Sequence, residues 1–351
     1  MKHFHQILII LITITAVSAG CITADVPEKI AAVENTYSPQ IIEHGVTEGF
    51  AGEIIEITFP FKNHTIKKQI AVSNEKYNCL PDKNSEERTL YDGKTYQEKY
   101  TYFSSFINNR ANQEIYSQIL DLFDKYSQEY SLTSDEYIEL AVSYVQNITY
   151  NTSCSSSKFP IETIFENNGD CDDKSILLAA LLSEKGYDTA LFFFEKDRHM
   201  TAAVKSGNET AYPQANGYSI IETTGLNYVG EISKSLKLSD NTSITISSKP
   251  DVYKIGNGEI PYTASNEVAE ILKMRETCAS EISRIDILMD ELSDKISAGE
   301  SLPQQLADTR TFNEYADLHN EYAYLANLIS SEPFNRAFVY SQVKKMEADI
   351  L

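Results

Sequence analysis

Tryptophan is absent from this chain of 351 residues, and cysteine occurs only five times. The sequence also lacks the patterns GxxxxGK[ST] and GxGxxG, so nucleotide-dependent chemistry has no support. There is no Cys-x-x-Cys pair, no His-x-x-x-His pair and no second histidine close to Cys171. Because zinc sites are built from such spacings, we predict neither a metal nor a cofactor.

Positive charge is scarce. The chain carries 30 Lys and Arg residues against 51 Asp and Glu residues, which gives a formal net charge of -21. Such a surface repels phosphate backbones, so nucleic acid is excluded as a partner and cationic or neutral partners are favoured. Hydrophobic residues make up 42% of the chain, which is enough for a folded core, and the length suggests two or three domains.

The apolar run at the N-terminus is too short to cross a membrane. It covers 11 residues, 7–17, after a short basic start, and the small residues Ser18-Ala19-Gly20 precede Cys21. This ending resembles a lipobox, so we predict a lipoprotein-type signal peptide over 1–20 and lipidation of Cys21. An ordinary signal peptide cleaved nearby is the alternative. Both predict export, and the first predicts a protein anchored by lipid to the outer face of the cell membrane.

Five Asn-x-Ser/Thr patterns are compatible with export and are candidate glycosylation sites: Asn63, Asn147, Asn151, Asn208 and Asn241. Asn147 is the weakest of them, since it falls in an apolar helical stretch. Cys79 and Cys154 lie in polar, loop-like sequence and could form a disulfide in an oxidising compartment, whereas Cys278 falls on an apolar helix stripe.

Hydrophobic periodicity divides the exported chain into four parts. We predict a tether over 21–45, an N-terminal cap over 46–110 with strands at 53–59 and 65–72, and a central domain over 111–250 that begins with helices at 112–130 and 134–148. Apolar residues at alternating spacings of three and four indicate long helices over 264–351. These form either an antiparallel hairpin with a third segment folding back, or an intermolecular coiled coil that would allow self-association.

Cys171 is the most informative residue. It lies within the run 168–175, and the unbroken apolar stretch 176–182 follows directly. We therefore expect its thiol on the first turn of a helix, where free N–H groups and the helix dipole stabilise a thiolate. A plain apolar role at the helix start is the alternative.

A candidate base and a candidate acid follow Cys171 along the chain. The stretch 188–194 reads as a strand, and His199 opens its hairpin partner after a polar turn. The next strand, 217–224, carries Glu222 near its end. A carboxylate beside an imidazole fixes the tautomer of the ring and stabilises an imidazolium, although Glu222 could also be a solvated strand residue.

This order resembles the transglutaminase-like, papain-like cysteine superfamily, and the resemblance covers residues 133 to 226 or so. The matching segments are 169–175, 199–200 and 222–224, with 145–150 and 159–164 similar to the approach to the nucleophile in prokaryotic and archaeal members. The resemblance implies an α+β fold with a papain-like catalytic core and the triad Cys171, His199 and Glu222. The family more often has Asp at the position of Glu222.

Animal transglutaminases place a tryptophan beside the oxyanion, which this chain cannot do. The remaining candidates for oxyanion donors are the backbone N–H of Cys171 and the side chain of Gln146 or Tyr150. The resemblance thus implies a thiol enzyme that forms an acyl-thioester on Cys171 with a cell-surface protein or peptide. Likeness to prokaryotic members favours hydrolysis over crosslinking. A catalytically inactive module used for binding or assembly is the competing hypothesis.

Overall fold

The computed structural model describes residues 51–90, 93–152, 156–206, 217–231, 235–237, 243–298 and 301–350, and the chain is a mixed α+β protein. The helices are α1 Asn74–Asn78, α2 Tyr96–Ile107, α3 Gln113–Tyr130, α4 Ser134–Gln146, α5 Pro160–Glu166, α6 Cys171–Glu184, α7 Ser265–Ser297, α8 Leu302–Ser331 and α9 Arg336–Ile350. The strands are β1 Gly52–Phe61, β2 His64–Ser73, β3 Thr149–Tyr150, β4 Asn168–Gly169, β5 Thr189–Phe194, β6 His199–Lys205, β7 Tyr218–Ile221, β8 Ser235–Lys237, β9 Ser243–Thr245 and β10 Asp251–Lys254.

The N-terminal hairpin has the strands that the sequence predicts. β1 and β2 pair from Gly52 opposite Ser73 to Phe61 opposite His64, and Lys62 in the turn adopts a left-handed φ of 52°. Alternate side chains of the hairpin are buried. The side-chain amide of Gln118 on α3 bonds both backbone groups of Ala71, donating to the carbonyl and accepting from the N–H, each at 2.8 Å. The hairpin is therefore packed directly on the helices.

The central helix α6 is apolar on all sides from position 176 to position 182, and its side chains from position 173 to position 182 are buried. A helix of this kind must be covered all round. One side lies on a four-stranded antiparallel sheet with the order β10-β5-β6-β7, and α2, α4 and α5 pack elsewhere on the helix. β5 and β6 form the predicted hairpin, with Phe194 opposite His199. The start of α6 consequently lies near the beginning of β6.

The edge strand β10 was not recognised in the sequence. It pairs antiparallel with β5, from Asp251 opposite Phe193 to Lys254 opposite Ala190. Gly256, two residues after this strand, has a packing role. A Cβ atom on Gly256 would lie 2.3 Å from the carbonyl oxygen of Tyr187, so only glycine fits there.

The C-terminal helices form an antiparallel pair, α7 with α8, and α9 folds back against α7, as the hairpin interpretation predicts. Their shared core contains Val268, Ile271, Cys278, Ile285, Tyr322, Leu325, Ile329, Val339 and Val343. Arg336 on α9 joins this core to α4 through a buried ion pair with Glu139. Within the described ranges, every helix is too short or too polar to span a bilayer. Gly45–Leu351 forms one unit.

Candidate thiol site

Helix α6 begins where a capping box fixes it. The side chain of Asp170 accepts a hydrogen bond from the N–H of Asp173, and the side chain of Asp173 accepts one from the N–H of Asp170, both at 3.2 Å. Cys171 is the first residue of α6, which confirms the predicted position. The Asp-x-x-Asp spacing is the sequence signal for this cap.

Gly169 is required immediately before this turn. A Cβ atom there would lie 2.8 Å from the Cβ of Asp173, closer than real Cβ contacts allow. The glycine therefore lets the backbone of β4 approach the first turn of α6. This close approach explains the Gly-Asp-Cys order from structure alone.

His199 and Glu222 form a buried pair. The Nε2 atom of His199 lies 2.9 Å from Oε2 of Glu222, and the two residues are 0% and 2% exposed. Glu222 follows the last residue of β7, one position beyond the strand. Both donor groups of Thr224 and the N–H of Thr223 bond Oε1 of the same carboxylate at 2.8–2.9 Å. Burial alone would raise the pKa of Glu222, but the hydrogen bonds from His199 and Thr224 outweigh it and the pKa lies below its usual value.

The other ring nitrogen of His199 remains for chemistry. Nδ1 is buried and has no hydrogen-bond partner within the described part of the chain. With the Nε2–H donated to Glu222, Nδ1 of the neutral ring is the acceptor. The ring of Phe194 stacks on the imidazole with 6.4 Å between centroids and an interplanar angle of 27°. The bond to Glu222 thus orients the imidazole.

The sulfur of Cys171 lies at the start of the strand that carries His199. The backbone N–H of Met200, the next residue, donates a hydrogen bond to the thiol sulfur. The hydroxyl of Ser175, one turn along α6, donates to the carbonyl of Met200 at 3.2 Å and contacts the hydroxyl of Thr223 at 3.1 Å. These contacts hold α6, β6 and the Glu222 segment together. No sequence pattern predicts this contact of Met200, because the group involved is its backbone N–H.

The surroundings of the Cys171 thiol raise its pKa, whereas a helix start alone would lower it. Burial raises the pKa of Cys171 well above its ordinary value, and the carboxyls of Asp172 and Asp170 raise it further. The hydrogen bond from Met200 acts in the other direction but is weaker. Cys171 in this resting arrangement is therefore a neutral thiol, which requires a base to take its proton.

The three acids at the helix start repel one another. Burial and the neighbouring Asp172 raise the pKa of Asp170, and the same causes raise the pKa of Asp173 to about 7. The donor atoms of Asp170, Cys171 and Asp172 all lie within 4.8 Å of one another, a spacing that a metal ion could bridge. A proton shared by the carboxyls of Asp170 and Asp172 accounts for the short distance between them. We therefore assign no metal to these residues.

Of the two oxyanion candidates, Gln146 is fully occupied by structural bonds. Its Nε2 donates to the carbonyls of Glu222 at 2.6 Å and Asn227 at 3.2 Å, and its Oε1 accepts from the N–H of Asn227 at 3.0 Å. No amide hydrogen is left for a substrate. Gln146 instead holds the loop after Glu222 against α4.

Tyr150 is the candidate that remains. It belongs to β3, which pairs in parallel with β4, so Tyr150 lies opposite Gly169 and close to the first turn of α6. The side chain is half-buried. Burial, followed by the neighbouring acidic groups of Cys171 and Asp170, raises its pKa above the usual value. The phenol therefore keeps its hydrogen and is available as a donor.

Of the other predicted residues, Asn151 lies close to the site, since its backbone N–H donates to the carbonyl of Gly169 at 3.0 Å, and several lie outside the described residues. Asn63 is exposed in the β1–β2 turn. Asn147 is partly buried at the end of α4 and donates to the carbonyl of Ser143 at 2.8 Å, and Asn151 donates to Asn168 at 3.3 Å. Cys79 is an exposed free thiol and Cys278 is buried. The positions outside the described residues are Cys21, Cys154, Asn208 and Asn241.

Comparison of the chain with protein-family models, with curated proteins and with solved structures finds no match.

Proposed function

We propose that the chain is a surface-anchored thiol enzyme with a transglutaminase-like core, which forms an acyl-thioester between Cys171 and a peptide or carboxamide carbonyl. The observation that carries the proposal is the buried pair of His199 and Glu222 at the start of β6, whose next residue, Met200, contacts the thiol at the start of α6. Bonds within the fold already satisfy Nε2, and Nδ1 is left without a partner in the described residues. A histidine held in this way is arranged to act as a base.

In the proposed reaction, Nδ1 of His199 takes the proton from the thiol as the sulfur attacks the carbonyl carbon. The oxygen of the tetrahedral intermediate then accepts hydrogen bonds from the backbone N–H of Cys171 and the hydroxyl of Tyr150. The imidazolium, stabilised by Glu222, returns the proton to the departing amine or ammonia. The acyl group remains on the sulfur as a thioester.

Water completes the proposed cycle. His199 removes a proton from a water molecule, the resulting oxygen attacks the thioester carbonyl, and the Cys171 thiol leaves with the proton from the imidazolium. The products are a carboxylic acid and the free enzyme, so the reaction is proteolysis for a peptide bond and deamidation for a carboxamide. An amine in place of water would give crosslinking. We favour hydrolysis by analogy with the prokaryotic members that the sequence resembles.

The raised pKa of Cys171 supports a second candidate, a binding or assembly module without catalysis. Burial and two neighbouring carboxyls disfavour the thiolate, which suits a thiol that never reacts. The two candidates differ in whether His199 controls the reactivity of the sulfur.

The alkylation rate of Cys171 with iodoacetamide, measured against pH on residues 22–351, tests this difference. Mass spectrometry follows each cysteine separately, and exposed Cys79 provides an internal reference. The enzyme hypothesis requires that the alkylation midpoint of Cys171 lies at a lower pH in the wild-type protein than in the His199→Ala variant. Equal profiles for the two proteins would favour the binding module.

Turnover is tested with a peptide mixture that contains both backbone amides and glutamine side chains. Cleaved peptides, released ammonia and incorporation of a labelled amine identify proteolysis, deamidation and crosslinking. Cys171→Ser is the control, because it removes the sulfur and nothing else. Turnover that survives in Cys171→Ser would overturn the assignment.

A further inference from the structure

A chain of hydrogen bonds that the proposed chemistry does not use holds the carboxyl of Asp172 beside the thiol. The hydroxyl of Ser157 donates to Oδ2 of Asp172 at 2.6 Å, and the hydroxyl of Tyr102 lies 2.9 Å from the hydroxyl oxygen of Ser157. An oxygen of the Asp172 carboxyl lies within 4.8 Å of the Cys171 sulfur. Two hydrogen bonds therefore connect Tyr102 on α2 to a carboxyl next to the sulfur.

The backbone fixes Ser157 against the start of α6. Ser157 is 8% exposed, and the backbone N–H of the next residue, Lys158, donates to Oδ1 of Asp173 at 2.6 Å. Two successive residues of one segment thus bond two successive acids on the first turn of α6. The Ser157 hydroxyl is consequently held in place from its own backbone.

The other end of the chain of hydrogen bonds is anchored in the core. The hydroxyl of Tyr102 donates to the carbonyl of Arg88 at 2.8 Å. The guanidinium of Arg88 is buried, bonds both carboxylate oxygens of Glu162 at 2.6 and 3.2 Å, and lies over the ring of Phe159 at 4.8 Å. A carboxyl that turned away from the sulfur would therefore leave the nearly buried hydroxyl of Ser157 without its acceptor, which is unfavourable.

The position of this carboxyl matters because acids surround the sulfur. In the described residues, the titratable groups around the thiol include Asp170 and Asp172 on α6, Tyr150 on β3, His199 on β6 and Glu222 after β7. The Asp172 carboxyl itself faces Asp170, Asp173 and Tyr102. After burial, Asp172 contributes most to the raised pKa of Cys171. Because a Coulomb interaction weakens with distance, the fixed position of the carboxyl determines the size of this contribution.

We propose that Ser157 is a positioning residue for the thiol site. Its hydroxyl, held in turn by Tyr102, fixes the Asp172 carboxyl beside the sulfur. The thiol then keeps its proton until His199 removes it, so the sulfur is protected from reaction with electrophiles other than the substrate. This inference rests on the proposed function, in which His199 is the base.

The test is the pH profile of Cys171 alkylation by iodoacetamide in variants of the 22–351 protein. Ser157→Ala removes the donor that fixes Asp172, a partly exposed residue, so its carboxyl can turn towards solvent and away from the sulfur. We expect the midpoint of Cys171 to fall by about half a pH unit, equivalent to roughly threefold faster alkylation below the midpoint. Ser157→Thr keeps a hydroxyl and should retain most of the wild-type profile.

The matched control is Ser283→Ala. Ser283 is exposed on α7, and its hydroxyl donates to the carbonyl of Ala279 one turn earlier, at 3.0 Å. This variant should leave the midpoint of Cys171 unchanged. A fall in Ser157→Ala no larger than in Ser283→Ala would overturn the proposal.

A double-mutant cycle tests whether Ser157 acts through Asp172. Asp172→Asn should lower the midpoint by itself, and the addition of Ser157→Ala should then cause no further fall, because no carboxyl remains to be positioned. A serine that only stabilises the fold would lower the melting temperature and leave the midpoint of Cys171 unchanged. That result, or falls that add fully in the double variant, would overturn the proposal.

If Ser157→Ala does not fold, Tyr102→Phe decides. It removes only the phenol oxygen of a half-buried side chain, one hydrogen bond further from Asp172. The midpoint of Cys171 should fall in this variant as well, by less than in Ser157→Ala. An unchanged midpoint in a folded Tyr102→Phe protein would contradict the proposed chain.

The His199→Ala profile separates this result from the proposed function. If His199→Ala leaves the alkylation profile of Cys171 unchanged, the proposed enzyme fails. The cycle between Ser157 and Asp172 would still report whether the chain acts on the sulfur, because alkylation needs no turnover.

Discussion

The imidazole of His199 and the carboxylate of Glu222 are joined at 2.9 Å with almost no exposure to solvent, and the second carboxylate oxygen accepts three further hydrogen bonds. A carboxylate held by four donors is fixed in orientation as well as in charge. The glutamate side chain reaches the imidazole from a position just past the end of β7.

Replacing Glu222 with Gln should destabilise the fold by about 3 kcal/mol at pH 7, because a buried carboxylate that accepts four hydrogen bonds becomes an amide whose NH₂ group faces donors. Urea unfolding measures this loss. Glu291→Gln, at an exposed position on α7, is the control and should change stability by less than about 0.5 kcal/mol. A loss in Glu222→Gln no larger than in the control would contradict the structural role of the pair.

The difference in stability between Glu222→Gln and wild type should disappear at acid pH. The folded-state pKa of Glu222 is lowered from 4.5, so its contribution to stability is complete above pH 4.5 and is lost as the pH falls through the folded-state value. Urea unfolding of wild type and Glu222→Gln between pH 7 and pH 3 should therefore converge at the acid end. Parallel curves would show that the pKa of Glu222 is not lowered by folding.

Replacing Asp172 with Asn should lower the alkylation midpoint of Cys171. After burial, the Asp172 carboxyl is the strongest cause of the raised pKa of this thiol. The hydroxyl of Ser157 donates to Asp172 at 2.6 Å, and an amide oxygen can accept the same bond, so the turn should persist. Glu291→Gln again serves as the control. A midpoint that rises in Asp172→Asn would mean that the carboxyl helps the thiolate.

Replacing Tyr150 with Phe should lower kcat by roughly tenfold to a hundredfold with little change in KM, if Tyr150 donates to the oxyanion only in the transition state. The measurement uses whichever peptide substrate the turnover assay identifies. Tyr324→Phe, an exposed tyrosine on α8 at 57% exposure, is the matched control. Equal rates for Tyr150→Phe and wild type would leave the backbone N–H of Cys171 as the candidate donor.

Glu139 and Arg336 should show strong coupling in a double-mutant cycle. Arg336→Met leaves the Glu139 carboxylate buried without its cation and should cost about 3 kcal/mol. The double variant Glu139→Gln/Arg336→Met should be clearly more stable than the sum of the single losses predicts. Unfolding in urea at pH 8 is suitable, because burial raises the pKa of Glu139 to about 7 and the group is then charged. Additive losses would show that the pair is not coupled.

Local sequence determined much of this protein. The capping box fixes the start of α6 at Cys171 because the two aspartates that form it are three residues apart, and alternation predicts β1 and β2 because each strand has one buried face. The repeated apolar spacing likewise predicts α7, whose buried positions follow that stripe. These features depend on residues a few positions apart.

Tertiary structure alone decided the state of the site. The pKa of Cys171 depends on burial and on carboxyls brought close by packing, so the helix start by itself indicates the opposite direction. Gln146 is occupied because the loop after Glu222 lies against α4, a contact across 76 residues of sequence. Periodicity and motifs depend on residues close together in the sequence. Burial and the local charge around a side chain depend on residues that are distant in sequence and are brought together by folding.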